Sequence, residues 1–124
     1  GDGSFDRLQA FGARSFSIWD KFGNQVFDSG DQFERIIAER FPNNFNADNT
    51  NNTLDDRSDN KGPEPEGVTV GVIDGHTYAF VGLERMGGVM VYDVSDPSDA
   101  KLHGHSAGQR GGCRGFEAPA TALR

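Results

Sequence analysis

The chain has 124 residues, enough for one domain or part of one. Apolar residues make up 35% and acids outnumber bases 19 to 12, leaving a net charge of −7; that balance argues against a sequence-independent grip on DNA or RNA and against an anionic membrane surface as partner. A single cysteine, Cys113, excludes an internal disulfide and a multi-cysteine zinc site, and no apolar run approaches the ~20 residues of a membrane span.

Residues 1–13 are polar and glycine-bearing and read as a loose start. No signal peptide is present, so a processed or engineered start at Gly1 is expected. Residues 14–28 read as a hairpin. Arg14 to Asp20 alternates with period two, placing Phe16 and Ile18 on one side and Trp19 on the other; Lys21 to Asn24 turns, and Gln25 to Asp28 returns. Residues 31–41 predict a helix. Phe33, Ile36, Ile37 and Phe41 fall on one face, Ser29 or Asp31 is placed to cap it, and Pro42 stops it.

Residues 43–66 differ in kind. Seven asparagines lie between Asn43 and Asn60, and six acids face only Arg57 and Lys61, for a net −4. Such a segment does not build a core by itself, and a loop of this length inside a compact domain tends to be functional or disordered. Residues 67–96 read as a three-stranded meander. Val68 to Ile73 is one strand, Asp74-Gly75 is a strong hairpin turn, His76 to Glu84 returns, and Val89 to Val94 is the third strand. Three strands of this kind form the inner part of a four-stranded sheet. Residues 98–124 are glycine-diluted and read as an irregular tail.

Phe16-Ser17-Ile18-Trp19-Asp20 is echoed by Val89-Met90-Val91-Tyr92-Asp93, two alternating strands that each end in an aromatic and an aspartate. Once the helix and the acidic segment are subtracted, the spacing approaches that of propeller blades, roughly 40–50 residues. The first of these strands, the acidic segment, Asp59-Asn60-Lys61-Gly62-Pro63-Glu64-Pro65-Glu66-Gly67-Val68-Thr69-Val70-Gly71, and Tyr78 to Arg85 leading into Gly88 to Val94 together resemble the choice-of-anchor I family of secreted bacterial proteins, often labelled alkaline-phosphatase-like. The resemblance runs from about residue 11 to about residue 100. It implies a mainly β fold with one helix: a partial β-propeller of about a blade and a half, occupying residues 1–124 as one partial domain. It also implies an extracellular or cell-surface location. Family members are several hundred residues long, which implies a fragment. A propeller sector leaves strand edges open, so homo-oligomerisation through those edges is expected.

Chemistry concentrates in the acids. Asp48, Asp55, Asp56, Asp59, Glu64 and Glu66 are hard oxygen donors of the kind calcium takes, without the spacing of an EF-hand; the competing reading is a solvated insertion. Pro63-Glu64-Pro65-Glu66-Gly67 stiffens the approach to a strand, and Glu64 and Glu66 are the candidate acid–base or metal-holding pair of a metal-dependent phosphoesterase-like site. Glu84-Arg85 reads as a structural ion pair at a strand end. His76 reads as exposed, and His103 and His105, spaced for metal, sit in the irregular tail. Cys113 reads as a stray thiol. Phe16, Trp19, Phe27, Phe33 and Phe41 read as core. Asn51-Asn52-Thr53 is a formal glycosylation sequon. Three functions remain open: an extracellular binding or structural module, calcium-stabilised and self-associating; a metal-dependent hydrolase; and a truncated piece without native activity.

Overall fold

A computed structural model describes residues 14–48 and 50–106. The readings of residues 1–13 and 107–124, Cys113 among them, lie outside the described residues.

The chain folds as a short hairpin, a helix, a turn-rich acidic insertion and a four-stranded sheet. Strands β1 (Ser17–Trp19) and β2 (Gln25–Asp28) pair antiparallel. Their turn is held by Asp20, whose Oδ1 accepts from the amides of Phe22 and Asn24 at 2.8 and 2.9 Å. Helix α1 spans Gln32–Arg40. Its start differs from the side-chain capping expected. Asp31 makes no cap bond and instead faces Arg35 at 2.9 Å. The Ser29 hydroxyl is already taken by the Phe16 amide at 2.9 Å, which ties the helix entrance to β1.

Strands β3 (Pro65–Ile73), β4 (His76–Leu83), β5 (Val89–Asp93) and β6 (Lys101–Ser106) form one antiparallel sheet in chain order. Asp74 and Gly75, at φ 50° and 84°, supply the two left-handed residues that a two-residue hairpin turn requires. Strand β6 corrects the reading of residues 98–124 as irregular. The glycine and histidines hid a strand whose register slips between Val91 and Tyr92 of its neighbour, so no clean alternation marks it.

The core lies on one face of this sheet. Phe33 and Ile37 of α1 pack with Val81, Leu83, Met90 and Tyr92, and Phe16, Ile18 and Phe27 of the hairpin close over them. Tyr92 is the centre. Its ring meets Phe16 edge-on at 4.9 Å and Phe33 at 6.0 Å, and its hydroxyl donates to Gln32 Oε1 at 3.1 Å. Trp19 is a correction: it is 58% exposed, because its strand position points away from the helix.

Cover is uneven across the sheet. One register row runs Val68, Val81, Met90, His105, and the next runs Val70, Ala79, Tyr92, Leu102. Val81, Met90, His105, Ala79 and Tyr92 are buried, whereas Val68 and Val70 at the β3 end are 66% and 62% exposed. The helix and hairpin therefore shield the sheet from β4 onward and leave the same face of β3 bare.

His105 is buried against Phe41, ring edge to ring face at 4.9 Å, and neither ring nitrogen has a hydrogen-bond partner among the described residues. Burial, helped by the charge of Arg40, pushes its pKa down from 6.5 to about 4. A histidine whose folded value lies below its unfolded one contributes stability above the unfolded value and loses it as pH falls. Urea unfolding is therefore expected to show stability declining from pH 6.5 towards 4, and His105→Leu is expected to flatten that slope. An unchanged slope in the variant would show that His105 is not the group responsible.

Candidate functional site

The acidic insertion is ordered by turns, although residues 50–56 stay exposed to solvent. A 3-10 turn at Pro42–Asn44 opens it. The amide of Asp55 then returns to the Phe45 carbonyl at 2.9 Å, that of Arg57 to the Asn46 carbonyl at 2.9 Å, and that of Gly62 to the Arg57 carbonyl at 2.7 Å. Asn46, Asn52 and Asp55 adopt positive φ, which these short polar side chains tolerate better than most residues do. Asn46 is fully buried, and its Nδ2 donates to Glu34 Oε1 at 2.8 Å and Ser58 Oγ at 2.9 Å. Arg14 completes the link, donating to Glu34 at 2.7 Å and to the Ser58 carbonyl at 2.5 Å. Gly62 sits beneath this arginine at φ 61°; a Cβ there would lie 3.0 Å from Arg14 Nη1 and 3.1 Å from Glu34 Oε1.

The insertion meets the sheet at Glu64. This carboxylate is 3% exposed and its backbone is left-handed at φ 50°, a conformation disfavoured for glutamate and further disfavoured before a proline. Three cations surround it. Arg57 Nη2 lies 2.5 Å from Oε1, Lys61 Nζ 3.5 Å from Oε2, and Arg85 Nε 3.5 Å from Oε1. The carbonyl of Glu64 accepts the amide of Glu84 at 2.9 Å, fixing the insertion to the end of β4. Arg85 also stands 3.5 Å from Glu84 and 3.9 Å from Asp48. The expected Glu84–Arg85 pair is thus one edge of a larger cluster.

Glu66 arrives by a different device. The β3–β4 register shifts between Pro65 and Gly67, so Glu66 is the extra residue of a bulge, a feature that redirects a side chain. Carboxylate oxygens of Glu64, Glu66 and Glu84 come within 4.8 Å of one another. Of the six acids read as metal ligands, only Glu64 and Glu66 belong to this group among the described residues. Asp48 approaches it through Arg85. Asp55 instead accepts from the Ser58 hydroxyl, and Asp56 and Asp59 are exposed. Glu84 is the member that sequence reading assigned only to an ion pair. Its offset from Pro65 across the hairpin was the signal available.

Buried Glu64 and exposed Glu84 are shifted in opposite directions. Burial pushes Glu64 up, but hydrogen bonds from Arg57 and Glu84 and the charges of Lys61 and Arg57 outweigh it and hold it below the usual range. Burial and the hydrogen bond to Glu64 raise Glu84. Of the pair, Glu84 is therefore the carboxyl that takes a proton first as pH falls, and Glu64 the one that keeps its charge for its cations.

His76 is exposed as read and pairs with Asp93 at 3.1 Å. The sequon Asn51-Asn52-Thr53 is exposed on the insertion.

Two antiparallel sheets, one helix and an insertion locked by ion pairs define a mainly β module. The chain belongs to the choice-of-anchor I family, whose choice-of-anchor I domain model matches residues 1–97. It is 36% identical over 100 residues to Gigasin-3a of Magallana gigas, an alignment covering 76% of this chain and 35% of that protein. It is 30% identical over 113 residues to the mesenchyme-specific cell surface glycoprotein of Strongylocentrotus purpuratus, covering 80% of this chain and 14% of that protein. The chain thus spans about a third and about a seventh of the lengths of these curated relatives. No solved structure matches it.

Removing the Glu64 charge leaves Arg57 and Arg85 facing one another without their shared partner. Glu64→Gln is expected to cost about 3 kcal/mol, the low end for breaking a buried pair because the cations keep some contact with water. That corresponds to a drop in Tm of roughly 10 °C. A calorimetric change under 2 °C (no more than the ~1 kcal/mol of an exposed pair) would show the cluster to be ornamental.

Proposed function

We propose that this chain is a binding and structural module of an extracellular or cell-surface protein, a sector of a β-propeller that self-associates through its open strand edges. The observation that carries this reading is the state of Glu64. The acid best placed for chemistry is buried, ionised and held by Arg57, Lys61 and Arg85, so the cluster fastens the insertion to the sheet. Family membership supports the reading, as does a relative named as a cell surface glycoprotein. A four-stranded antiparallel meander is the content of one propeller blade. Among the described residues no helix is long and apolar enough to cross a membrane. The hydrolytic alternative has less support, because a metal-dependent site built on Glu64 would have to detach it from three cations.

A calcium-stabilised form of the module rests on one observation, the convergence of Glu64, Glu66 and Glu84 within 4.8 Å; calcium there would have to share Glu64 with the same three cations and would draw mainly on the exposed Glu66 and Glu84. Calcium takes carboxylates in their ionised form, so binding there would compete with protons and weaken as pH falls. Asp48 is tied to the same cluster by Arg85, 3.9 Å from its guanidinium.

Two measurements separate these readings. Turnover of a panel of phosphate mono- and diesters with calcium present is expected to stay at the blank rate; hydrolysis abolished by Glu66→Gln would replace the structural reading with the hydrolytic one. Calorimetric titration with calcium is expected to show one site that weakens from pH 7.5 to pH 5 and disappears in Glu66→Gln. Absence of heat at both pH values would remove calcium from the account and leave the ion-pair module intact.

A further inference from the structure

We infer that the open edge of β3 is a self-pairing surface for a second copy of this chain, in an antiparallel register centred on Val70. The inference deepens the self-association just proposed, and rests on it, by naming the edge and the register.

Strand β3 lies at the border of the sheet, and among the described residues nothing pairs with its outer edge. The hairpin turn determines which backbone groups face outward. In a two-residue hairpin the closing pair exchanges both hydrogen bonds, and bonded and non-bonded pairs then alternate. The closing pair here is Ile73 with His76. Ile73, Gly71 and Thr69 therefore direct their N–H and C=O groups to β4. Val72, Val70 and Val68 direct theirs to the open edge.

The sequence along that edge is Val68-Thr69-Val70-Gly71-Val72, which reads almost identically in both directions. A two-fold axis at Val70 sets Val70 against its own copy and Val68 against Val72 of the partner, while Thr69 faces the partner's Gly71. These Val pairs are the bonded ones, so the outward groups of three valines per chain close six hydrogen bonds. All six valine side chains fall on one face, the face that the helix and hairpin leave bare, where Val68, Val70 and Val72 are 66%, 62% and 70% exposed. Two sheets then merge into one of eight strands.

Charge also favours this edge. The chain carries −7, so two copies repel almost everywhere, but residues 67–73 hold no charge. Strands that avoid edge pairing carry lysine, proline or inward charges, and here the only such guard is the bulge and proline at the Pro65 end. The other border strand, β6, begins with Lys101. The unfavourable part of the register is at its ends, where Glu66 faces the partner's Asp74, so added salt is expected to tighten the dimer. An edge of this length buries less than the ~800 Å² per partner of a standard stable complex, which sets the expected affinity in the micromolar range or weaker.

The test combines sedimentation with site-directed cross-linking of the whole chain. Sedimentation velocity over a concentration series is expected to show a reversible monomer–dimer equilibrium. Val70→Lys, at an exposed side chain that the fold tolerates, is expected to weaken it roughly tenfold or more, since the two lysines face each other; circular dichroism confirms that the variant folds. In a Cys113→Ser background, mild oxidation of Val70→Cys is expected to give a disulfide-linked dimer, because a bonded antiparallel pair sets Cα atoms ~5.5 Å apart. Val72→Cys is expected to resist, its twin lying roughly 13 Å away. A dimer that survives Val70→Lys and links no better through residue 70 than through residue 72 would overturn this edge and register while leaving self-association standing. A monomer at every concentration would overturn both.

Discussion

One buried carboxylate organises this molecule. Glu64 is almost completely withdrawn from water, and a charge so placed is tolerable only with close opposite charge and hydrogen bonds. Arg57 and Lys61 come from the insertion and Arg85 from the turn after β4. Each must be positioned before Glu64 can be buried, and the left-handed backbone at Glu64 persists because these contacts over-determine it. The ion cluster therefore couples the insertion to the turn after β4. An insertion too polar to make a core acquires order by charge pairing and by turns that asparagine and aspartate readily adopt.

The apolar half of the structure follows a different logic. Tyr92, Phe33 and Phe16 form an aromatic centre that joins helix, hairpin and sheet. Among the described residues one helix and one two-stranded hairpin are the cover, and they shield the sheet over β4 to β6 and no further. The exposed valines of β3 are the direct consequence. They also explain how a chain with a low apolar fraction still shows a contiguous apolar strip, because the strip is an extension of the core face beyond its lid.

Much of the architecture was legible in the sequence because it depends on local period. The Asp74-Gly75 turn fixed the register of β3 and β4, and the spacing of Phe33, Ile36, Ile37 and Phe41 marked the helix. Strand β6 was not legible, since a bulge breaks its alternation and His103, Gly104 and His105 give no strand preference. Trp19 was misread as core because alternation tells which residues share a side, not which side is covered. The site was legible in part. Glu64 and Glu66 stood out between prolines, but their third partner Glu84 lies 18 residues beyond Glu66 and joins only through the hairpin. The folded state of the insertion was hidden most completely. Composition reports how little a segment can bury, whereas its order here comes from Arg14, Glu34 and Arg85, all outside it.

The central claim is that ion pairing folds the acidic insertion onto the sheet. Native-state hydrogen exchange measures this directly, because the insertion amides that close its turns are named. Protection at the amides of Asp55, Arg57 and Gly62 approaching that of β4, and lost together in Glu64→Gln while β4 stays protected, is the predicted result. Exchange of those three amides at the rate of an unstructured peptide in the unaltered chain would contradict the account.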